Sequence, residues 1–260
     1  MSGRAGSGYR KTGRAALEWM LSPLVDGLAS AGVSANAVTL FSLCAGLAAG
    51  AALATDHFGW ATLAIAVASL GDGVDGMLAR QTRTASVGGA LLDAAVDRYE
   101  ELFVLAGLAI LFHAQVLVLA LVLVAIAGSF MVSYGSAKAE AFGVTVPDGM
   151  MRRAERAAVL CAGVTLVPFL EAASRRLDLP ALQTAAHAPV LLAVAIVAIG
   201  SNVSAVRRLL RIAVAARRSG ASEHLVEEPL RDRPVAPLHR TPAVLARTWM
   251  GTSTTSTPPR

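Results

Sequence analysis

The chain has 260 residues, of which 55% are hydrophobic and only 16% are charged. Such an apolar composition excludes an ordinary soluble domain of this length and indicates a polytopic membrane protein. The net charge of +5 fits contact with anionic lipid headgroups, and no nucleic-acid-binding module accompanies it, so no nucleic-acid partner is expected.

Residues 1–33 are predicted to form an N-terminal cytoplasmic segment that ends in an interfacial helix. Apolar and charged positions alternate along it, with Leu17, Trp19, Met20, Leu24 and Leu28 among Arg14, Glu18 and Asp26. Tryptophan suits the depth of the lipid headgroups, which favours a helix lying in the membrane surface. A short helix packed on the transmembrane bundle is the alternative.

Six apolar segments follow as predicted membrane spans, and together they make up a catalytic domain over residues 34–213. They cover approximately 37–54, 60–78, 88–112, 116–142, 157–170 and 188–206. The sequence therefore predicts an all-α fold, a membrane bundle of six transmembrane helices. Most arginines at the span ends fall on the same side as the loop between the second and third spans. The positive-inside rule assigns this side to the cytoplasm, although Arg175 and Arg176 lie on the other side.

Residues 214–260 are rich in Arg, Pro, Ser and Thr, with too few apolar residues for a second core. They are expected to form a flexible basic tail. Cys44 and Cys161 both lie in apolar runs, which favours two buried thiols over a structural disulfide.

Four aspartates lie in or beside apolar sequence: Asp72, Asp75, Asp93 and Asp97. An uncompensated carboxylate inside a membrane costs about 3 kcal/mol or more, so a compensating partner is needed. Spacings of three and four residues put each pair on one helical face, and two antiparallel helices would direct all four into one pocket. Four carboxylates suit hard cations, Mg²⁺ above all, and are too hard a ligand set for zinc.

Two glycines and an arginine accompany these aspartates. Gly76 follows Asp75 and Gly89 precedes Asp93 by four residues, which leaves room for a ligand beside the metal. Arg80 offers a planar, charged fork to phosphate oxygens. The combination indicates phosphoryl transfer. A transporter whose intramembrane aspartates relay protons or cations is the alternative.

The aspartates belong to the pattern Asp72-x-x-Asp75-Gly76-x-x-Ala79-Arg80, eight residues, then Gly89-x-x-x-Asp93-x-x-x-Asp97. This pattern resembles the motif of the CDP-alcohol phosphatidyltransferases, with every motif position filled. The resemblance implies a phospholipid-biosynthetic enzyme that moves a phosphatidyl group from CDP-diacylglycerol to an alcohol and releases CMP. It also implies two Mg²⁺ ions (or Mn²⁺) held by the four aspartates, Asp97 as general base, a homodimer, and a place in the bacterial inner membrane with the active site facing the cytoplasm.

The same resemblance assigns seven contacts to the CDP-linked donor: Asn36, Thr39, Gly76, Ala79, Arg80, Ser86 and Gly89. Asn36 and Thr39 belong to the turn that opens the first span, where Ala35 replaces the proline usual in the family. Capping of that helix is the alternative role for these two residues.

The acceptor is expected to be anionic, with Arg153, Arg156 and Arg207 as its binding residues. Marking of the cytoplasmic side of the membrane is the alternative role for these arginines. The stretch SYGSAKAEAFG and the arginine run after it resemble the phosphatidylinositol-phosphate synthase branch, which uses inositol phosphate. Ser136 stands where that branch usually has a lysine, so glycerol 3-phosphate is the rival acceptor.

Overall fold

The computed structural model describes residues 5–141 and 150–218. Within these two ranges the chain forms seven long helices and one short one, with no strand, which confirms the all-α fold. The helices are α1 Ala5–Ser30, α2 Ala35–Ala54, α3 Phe58–Gln81, α4 Val87–Leu111, α5 Val116–Ala141, α6 Arg153–Leu177, α7 Pro180–Thr184 and α8 Ala188–Arg218.

Five segments of the described chain are long and apolar enough to cross a membrane: α2, α3, α5, α6 and the stretch Pro180–Ala215. The helix α4 matches the third predicted span in position but falls outside this group. Its charged residues are the reason, because Asp93, Asp97, Arg98, Glu100 and Glu101 lie within about two and a half turns. The predicted span that is missing from this group is therefore the helix that carries much of the charged site.

Close contact between α2 and α4 depends on glycines of α2. A Cβ atom added at Gly50 would meet the backbone carbonyl of Phe103, and one added at Gly46 would lie 2.8 Å from Cγ of Glu100. Small residues allow helix backbones in membranes to approach closely. The charged turns of α4 are thereby held against the middle of α2.

The end of the bundle away from the charged turns is fixed by an apolar cluster that includes Leu53, Phe58, Leu108, Val164 and Val190. At this end, Nε2 of His187 lies 3.1 Å from Oδ1 of Asp56. The His187 ring also contacts Phe58 and Phe112, with ring centroids 5.1 and 5.7 Å apart. Contacts among residues far apart in sequence therefore tie the loops of this end together.

The helix α1 packs on α2 and α3 through Leu21 and Val25, which are buried against Val38, Val74 and Leu78. Trp19, Met20 and Leu24 of the predicted interfacial stripe are exposed. The packing agrees with the alternative reading of this segment, while the exposed stripe leaves a membrane-surface role open as a proposal. The side chains of residues before Glu18, including Arg14 and Leu17, lie outside the described part.

The chain divides into two units, residues 1–212 and 213–260. The first unit contains the bundle. Only residues 213–218 of the second are described, and they continue α8. The predicted tail lies almost wholly outside the described residues, as does the segment 142–149 between α5 and α6.

Candidate active site

A tight hairpin between α3 and α4 brings the two aspartate pairs to the same end of the bundle. Ser86 caps α4, because its hydroxyl accepts a hydrogen bond of 3.0 Å from the backbone N–H of Gly89. Arg83 adopts a positive φ of 56° in the turn before it. Asp75 and Asp93 line one cavity, and Asp72 and Asp97 both contact the guanidinium of Arg153.

A cavity of ≈ 320 Å³ opens between α2, α3 and α4, beside Asp75 and Asp93. Its lining includes all seven residues predicted to contact the CDP-linked donor: Asn36, Thr39, Gly76, Ala79, Arg80, Ser86 and Gly89. A Cβ atom added at Gly89 would make a tight contact of 3.3 Å with Oγ of Ser86 and an ordinary contact of 3.5 Å with Oδ1 of Asn36. Glycine at this position therefore keeps the cavity open between α2 and α4.

Thr39 and Asp75 are linked directly inside this cavity. The Thr39 hydroxyl donates a hydrogen bond of 2.6 Å to Oδ2 of Asp75, and both residues are buried. Thr39 thus orients a motif carboxylate. This role differs from the two that the sequence suggested, helix capping and donor contact. The capping role at the start of α2 belongs to Ser34, whose hydroxyl accepts from the backbone N–H of Ala37.

Arg153, the first residue of α6, places its guanidinium among three carboxylates. Its Nη2 lies 2.5 Å from Oδ2 of Asp72 and 3.2 Å from Oε2 of Glu100, and its Nη1 lies 2.6 Å from Oδ1 of Asp97. The sequence predicted this arginine beside the acceptor, and the structure adds that it links α6 to both helices of the aspartate hairpin.

Two oxygens of this carboxylate cluster are buried without a hydrogen-bond or ion-pair partner, Oδ1 of Asp72 and Oε1 of Glu100, while Oδ1 of Asp97 is ion-paired with Arg153. Unpartnered carboxylate oxygens are the ligand type that hard divalent cations prefer, so the residues present fit such a cation. Within the described ranges, however, no three acidic, histidine or cysteine side chains already converge as a metal site. Arg153 holds the carboxylates in the arrangement observed.

A basic cavity of ≈ 280 Å³ lies on the other side of Arg153, between α4, α5, α6 and α8. Two serines and two acids line it, Ser133, Ser136, Asp97 and Glu101. Five arginines also line it: Arg98, Arg152, Arg153, Arg156 and Arg208. Two of the three predicted acceptor residues, Arg153 and Arg156, are therefore present. Arg98, Arg152 and Arg208 were not among the predicted acceptor residues.

Arg207, the third predicted acceptor residue, is exposed and lines none of the three cavities around the aspartate hairpin. Its neighbour Arg208 lines the basic cavity. Arg208 lies four residues from Ser204 and from Ile212, both buried, so it belongs to the buried face of α8. That helical spacing is visible in the sequence and could have identified Arg208.

Arg208 is held against α5 at Gly135 and Ser136. Its Nη1 donates a hydrogen bond to the Ser136 hydroxyl, and its Cδ lies 3.1 Å from the Cβ that an alanine would add at Gly135. Its Nε is buried without a partner. A positive charge from α8 therefore reaches Ser136, the position where a lysine was expected.

Arg156 has a different environment, since it is only 1% exposed. Its Nε and Nη2 donate to the two carboxylate oxygens of Glu101 at 2.6 and 2.7 Å, and its Nη1 donates to the carbonyl of Met151 at 2.9 Å. A bidentate pair of this kind fixes the start of α6 against α4. These contacts favour a structural role for Arg156, although its side chain still borders the basic cavity.

A third cavity, of ≈ 250 Å³, extends from Asp72, Asp97 and Glu100 into the bundle between α2, α3, α4 and α6. Most of its other lining residues are apolar, among them Ile65, Ala68, Val104 and Leu160. Polar and apolar spaces therefore meet at the carboxylate cluster.

The family model for CDP-alcohol phosphatidyltransferases matches residues 33–200, which include the aspartate hairpin and two of its three surrounding cavities in full. The chain belongs to this family. As a CDP-alcohol phosphatidyltransferase it is an enzyme and a multi-pass membrane protein, and the transporter alternative has no support from the family match.

Similar proteins share the family and the fold. The phosphatidylinositol phosphate synthase of Streptomyces avermitilis is 32% identical over 210 residues, 78% of this chain and 81% of that protein. A crystal structure of the Mycobacterium tuberculosis phosphatidylinositol phosphate synthase with CDP-DAG bound superposes with a TM-score of 0.62 at 24% identity, covering 73% of this chain and 92% of that one. A second structure of that protein, in complex with manganese and citrate, has the same TM-score and identity and covers 73% and 87%. At this identity the structural likeness shows the fold alone.

Proposed function

We propose that this phosphatidyltransferase uses CDP-diacylglycerol as donor and an alcohol carrying a phosphate as acceptor. The observation that carries the proposal is the position of Asp97, which belongs to the carboxylate cluster and also lines the basic cavity. The other two motif aspartates, Asp75 and Asp93, line the cavity proposed for the donor. Donor and acceptor would thus approach the carboxylates from different cavities.

The donor nucleotide would occupy the cavity between α2, α3 and α4. Arg80 and Ser86 would contact the nucleotide or its phosphates, while Gly76, Ala79 and Gly89 leave space for the cytidine. Support comes from the M. tuberculosis relative, whose crystal structure contains CDP-DAG. The diacyl chains would enter laterally between the helices, and the apolar cavity bordered by Val104 and Leu160 offers a path from the cluster.

Divalent cations would be held by Asp72, Asp75, Asp93 and Asp97, and we propose Mg²⁺, two ions in number, with Mn²⁺ able to replace it. When bound, the cations supply charge neutralisation for the pyrophosphate and the departing CMP. The manganese complex of the M. tuberculosis relative supports a divalent ion. Charge favours cations here, because the four aspartates and Glu100 supply five carboxylates, and Arg153 contacts only three of them.

Asp97 would act as general base. In the transfer, the acceptor oxygen forms a bond to the lipid-proximal phosphorus, the bond from that phosphorus to the CMP oxygen breaks, and the hydroxyl proton passes to the Asp97 carboxylate. Its position at the wall between cluster and basic cavity supports this role. Thr39 contributes by holding Asp75 in place.

The charge of the basic cavity is the argument for a phosphorylated acceptor. Arg153 pairs with Asp97 and Arg156 with Glu101, and three further arginines line the same space. Their combined positive charge suits a phosphate dianion, with Arg208 and Arg98 as its nearest proposed contacts. The printed name of the S. avermitilis relative favours inositol phosphate, whereas Ser136 in place of a lysine keeps glycerol 3-phosphate as the second candidate.

The membrane arrangement is part of the same proposal. Six spans including α4, with α1 in the cytoplasmic surface of a bacterial inner membrane, would place the active-site end in the cytoplasm. Support comes from Trp19, Met20 and Leu24, which are exposed on α1, and from the arginines at the active-site end. A homodimer, and the division into segments 1–33, 34–213 and 214–260, stay predictions.

The test is CMP release by the purified protein with CDP-diacylglycerol, Mg²⁺ and four acceptors. Inositol 1-phosphate is compared with inositol, and glycerol 3-phosphate with glycerol. The proposal expects release with at least one phosphorylated alcohol and little with its neutral counterpart. Equal activity with the neutral alcohols would show that the basic cavity does not recognise a phosphate.

A further inference from the structure

Glu100 is a buried carboxylate outside the family motif. It lies three residues after Asp97 on α4 and is 8% exposed. The packing of α2 makes room for it, because a Cβ atom at Gly46 would lie 2.8 Å from Cγ and 3.3 Å from Cα of Glu100. The contact between α2 and α4 therefore accommodates this side chain specifically.

The contacts of Glu100 do not explain its burial as a contribution to stability. One oxygen, Oε2, lies 3.2 Å from Nη2 of Arg153, while Oε1 is buried without a hydrogen-bond partner. A buried, half-satisfied carboxylate is costly, and apolar replacements of such groups are often as stable or more stable. The same Nη2 also contacts Asp72 at the shorter distance of 2.5 Å, so Arg153 is shared between a motif carboxylate and Glu100.

We propose that Glu100 is a positioning residue that retains Arg153 when Asp72 and Asp97 bind divalent cations. This inference rests on the metal binding given above as part of the proposed function. A cation on Asp97 would compete with the guanidinium for Oδ1, and a cation on the free Oδ1 of Asp72 would lie beside the guanidinium and repel it. Among the three carboxylates that Arg153 contacts, Glu100 is the one that the motif does not assign to metal. It keeps Arg153 at the wall of the basic cavity in both states.

An effect of Glu100 on cation binding through Arg153 can be distinguished from a direct electrostatic effect of Glu100 on the cations. If it acts through Arg153, removing its charge weakens cation binding because the displaced guanidinium loses its remaining partner. If it acts by simple attraction at a distance, the same change weakens cation binding whether or not Arg153 is present. A double-mutant comparison distinguishes the two.

The experiment measures Mn²⁺ binding by isothermal titration calorimetry in detergent, without substrates. The full-length proteins are the wild type, Glu100→Gln, Arg153→Gln and the double variant. The proposal expects Glu100→Gln to raise the Kd for Mn²⁺ about tenfold, the equivalent of one charge-assisted hydrogen bond. In the Arg153→Gln background the same substitution should change the Kd less than about twofold. An equal loss in both backgrounds, or no loss in either, would overturn the inference.

A second variant keeps the test decisive if Glu100→Gln does not fold. Glu100→Asp retains the charge but withdraws it from Arg153, and it should weaken Mn²⁺ binding only where Arg153 is present. Unchanged binding by Glu100→Asp contradicts the positioning role. A wild-type protein that binds no Mn²⁺, or whose Mn²⁺ binding survives Asp93→Asn unchanged, would instead refute the proposed metal site itself.

Discussion

The hydroxyl of Thr39 on α2 donates a hydrogen bond of 2.6 Å to Oδ2 of Asp75 on α3. Both residues are at most 5% exposed, so water cannot readily replace the bond. The bond joins the helix that opens the donor cavity to the helix that carries the first aspartate pair. It makes the orientation of one proposed metal ligand depend on a residue 36 positions earlier in the chain.

Replacing Thr39 by Val removes this hydrogen bond at almost constant volume. A buried carboxylate that loses a partner is penalised by roughly 1–3 kcal/mol, so kcat/KM for CMP release should fall about tenfold or more. Thr39→Ser is the matched control, because it keeps the hydroxyl and should retain most of the activity. A Thr39→Val enzyme as active as the wild type would show that Asp75 is oriented without Thr39.

Arg208 and Arg207 form a second matched pair, adjacent in sequence but on different faces of α8. Arg208→Gln should raise the KM for the phosphorylated acceptor about tenfold to thirtyfold, the value of one charge-assisted contact, and leave the KM for the CDP-linked donor nearly unchanged. Arg207→Gln should change neither constant. Comparable effects of the two substitutions would mean that the negative charge of the acceptor is recognised at the membrane surface and not inside the basic cavity.

The buried pair of Arg156 and Glu101 predicts an effect on stability. Arg156→Gln leaves the Glu101 carboxylate buried without its partner, which costs about 3–5 kcal/mol, and should clearly lower the temperature of unfolding in detergent. Arg175→Gln is the control, since Arg175 is exposed and lies 3.9 Å from Glu171, and it should have almost no effect. An Arg156→Gln protein of normal stability but with a raised acceptor KM would assign Arg156 to the acceptor instead.

The membrane orientation can be tested with single cysteines in a chain whose Cys44 and Cys161 are replaced by alanine. A cysteine at Thr84, in the exposed hairpin loop, should react with impermeant reagents only from the cytoplasmic side. A cysteine at Gln115, exposed at the opposite end between α4 and α5, should react only from outside. The reverse pattern would invert the proposed orientation of the active site.

Local spacing explains why much of the site was predictable from the sequence. Asp72 and Asp75, like Asp93 and Asp97, share a helical face because of their separation, and a short loop forces the two faces together. All seven residues predicted to contact the donor line one cavity, because six of them lie on this hairpin's helices or near the start of the helix packed against it, and Ser86 caps α4. These relationships depend on helix geometry, which the sequence encodes directly.

Contacts across long sequence separations were not predictable in the same way. Arg153 contacts Glu100 at a sequence separation of 53 residues and Asp72 at a separation of 81. The local sequence pattern does not indicate which carboxylates an arginine of α6 will contact. The same holds for the buried pair that Arg156, a predicted acceptor residue, forms with Glu101. Arg208 differs, because its place on the buried face of α8 follows from helical periodicity.

The proposed function requires above all that the four aspartates hold divalent cations needed for transfer. The direct measurement is CMP release from CDP-diacylglycerol by the wild-type protein and by Asp93→Asn, in EDTA and after Mg²⁺ is restored. The account predicts no release in EDTA, recovery with Mg²⁺ for the wild type only, and a drastic loss of activity in Asp93→Asn although that variant still inserts in the membrane. Substantial CMP release by the wild type in excess EDTA would contradict it.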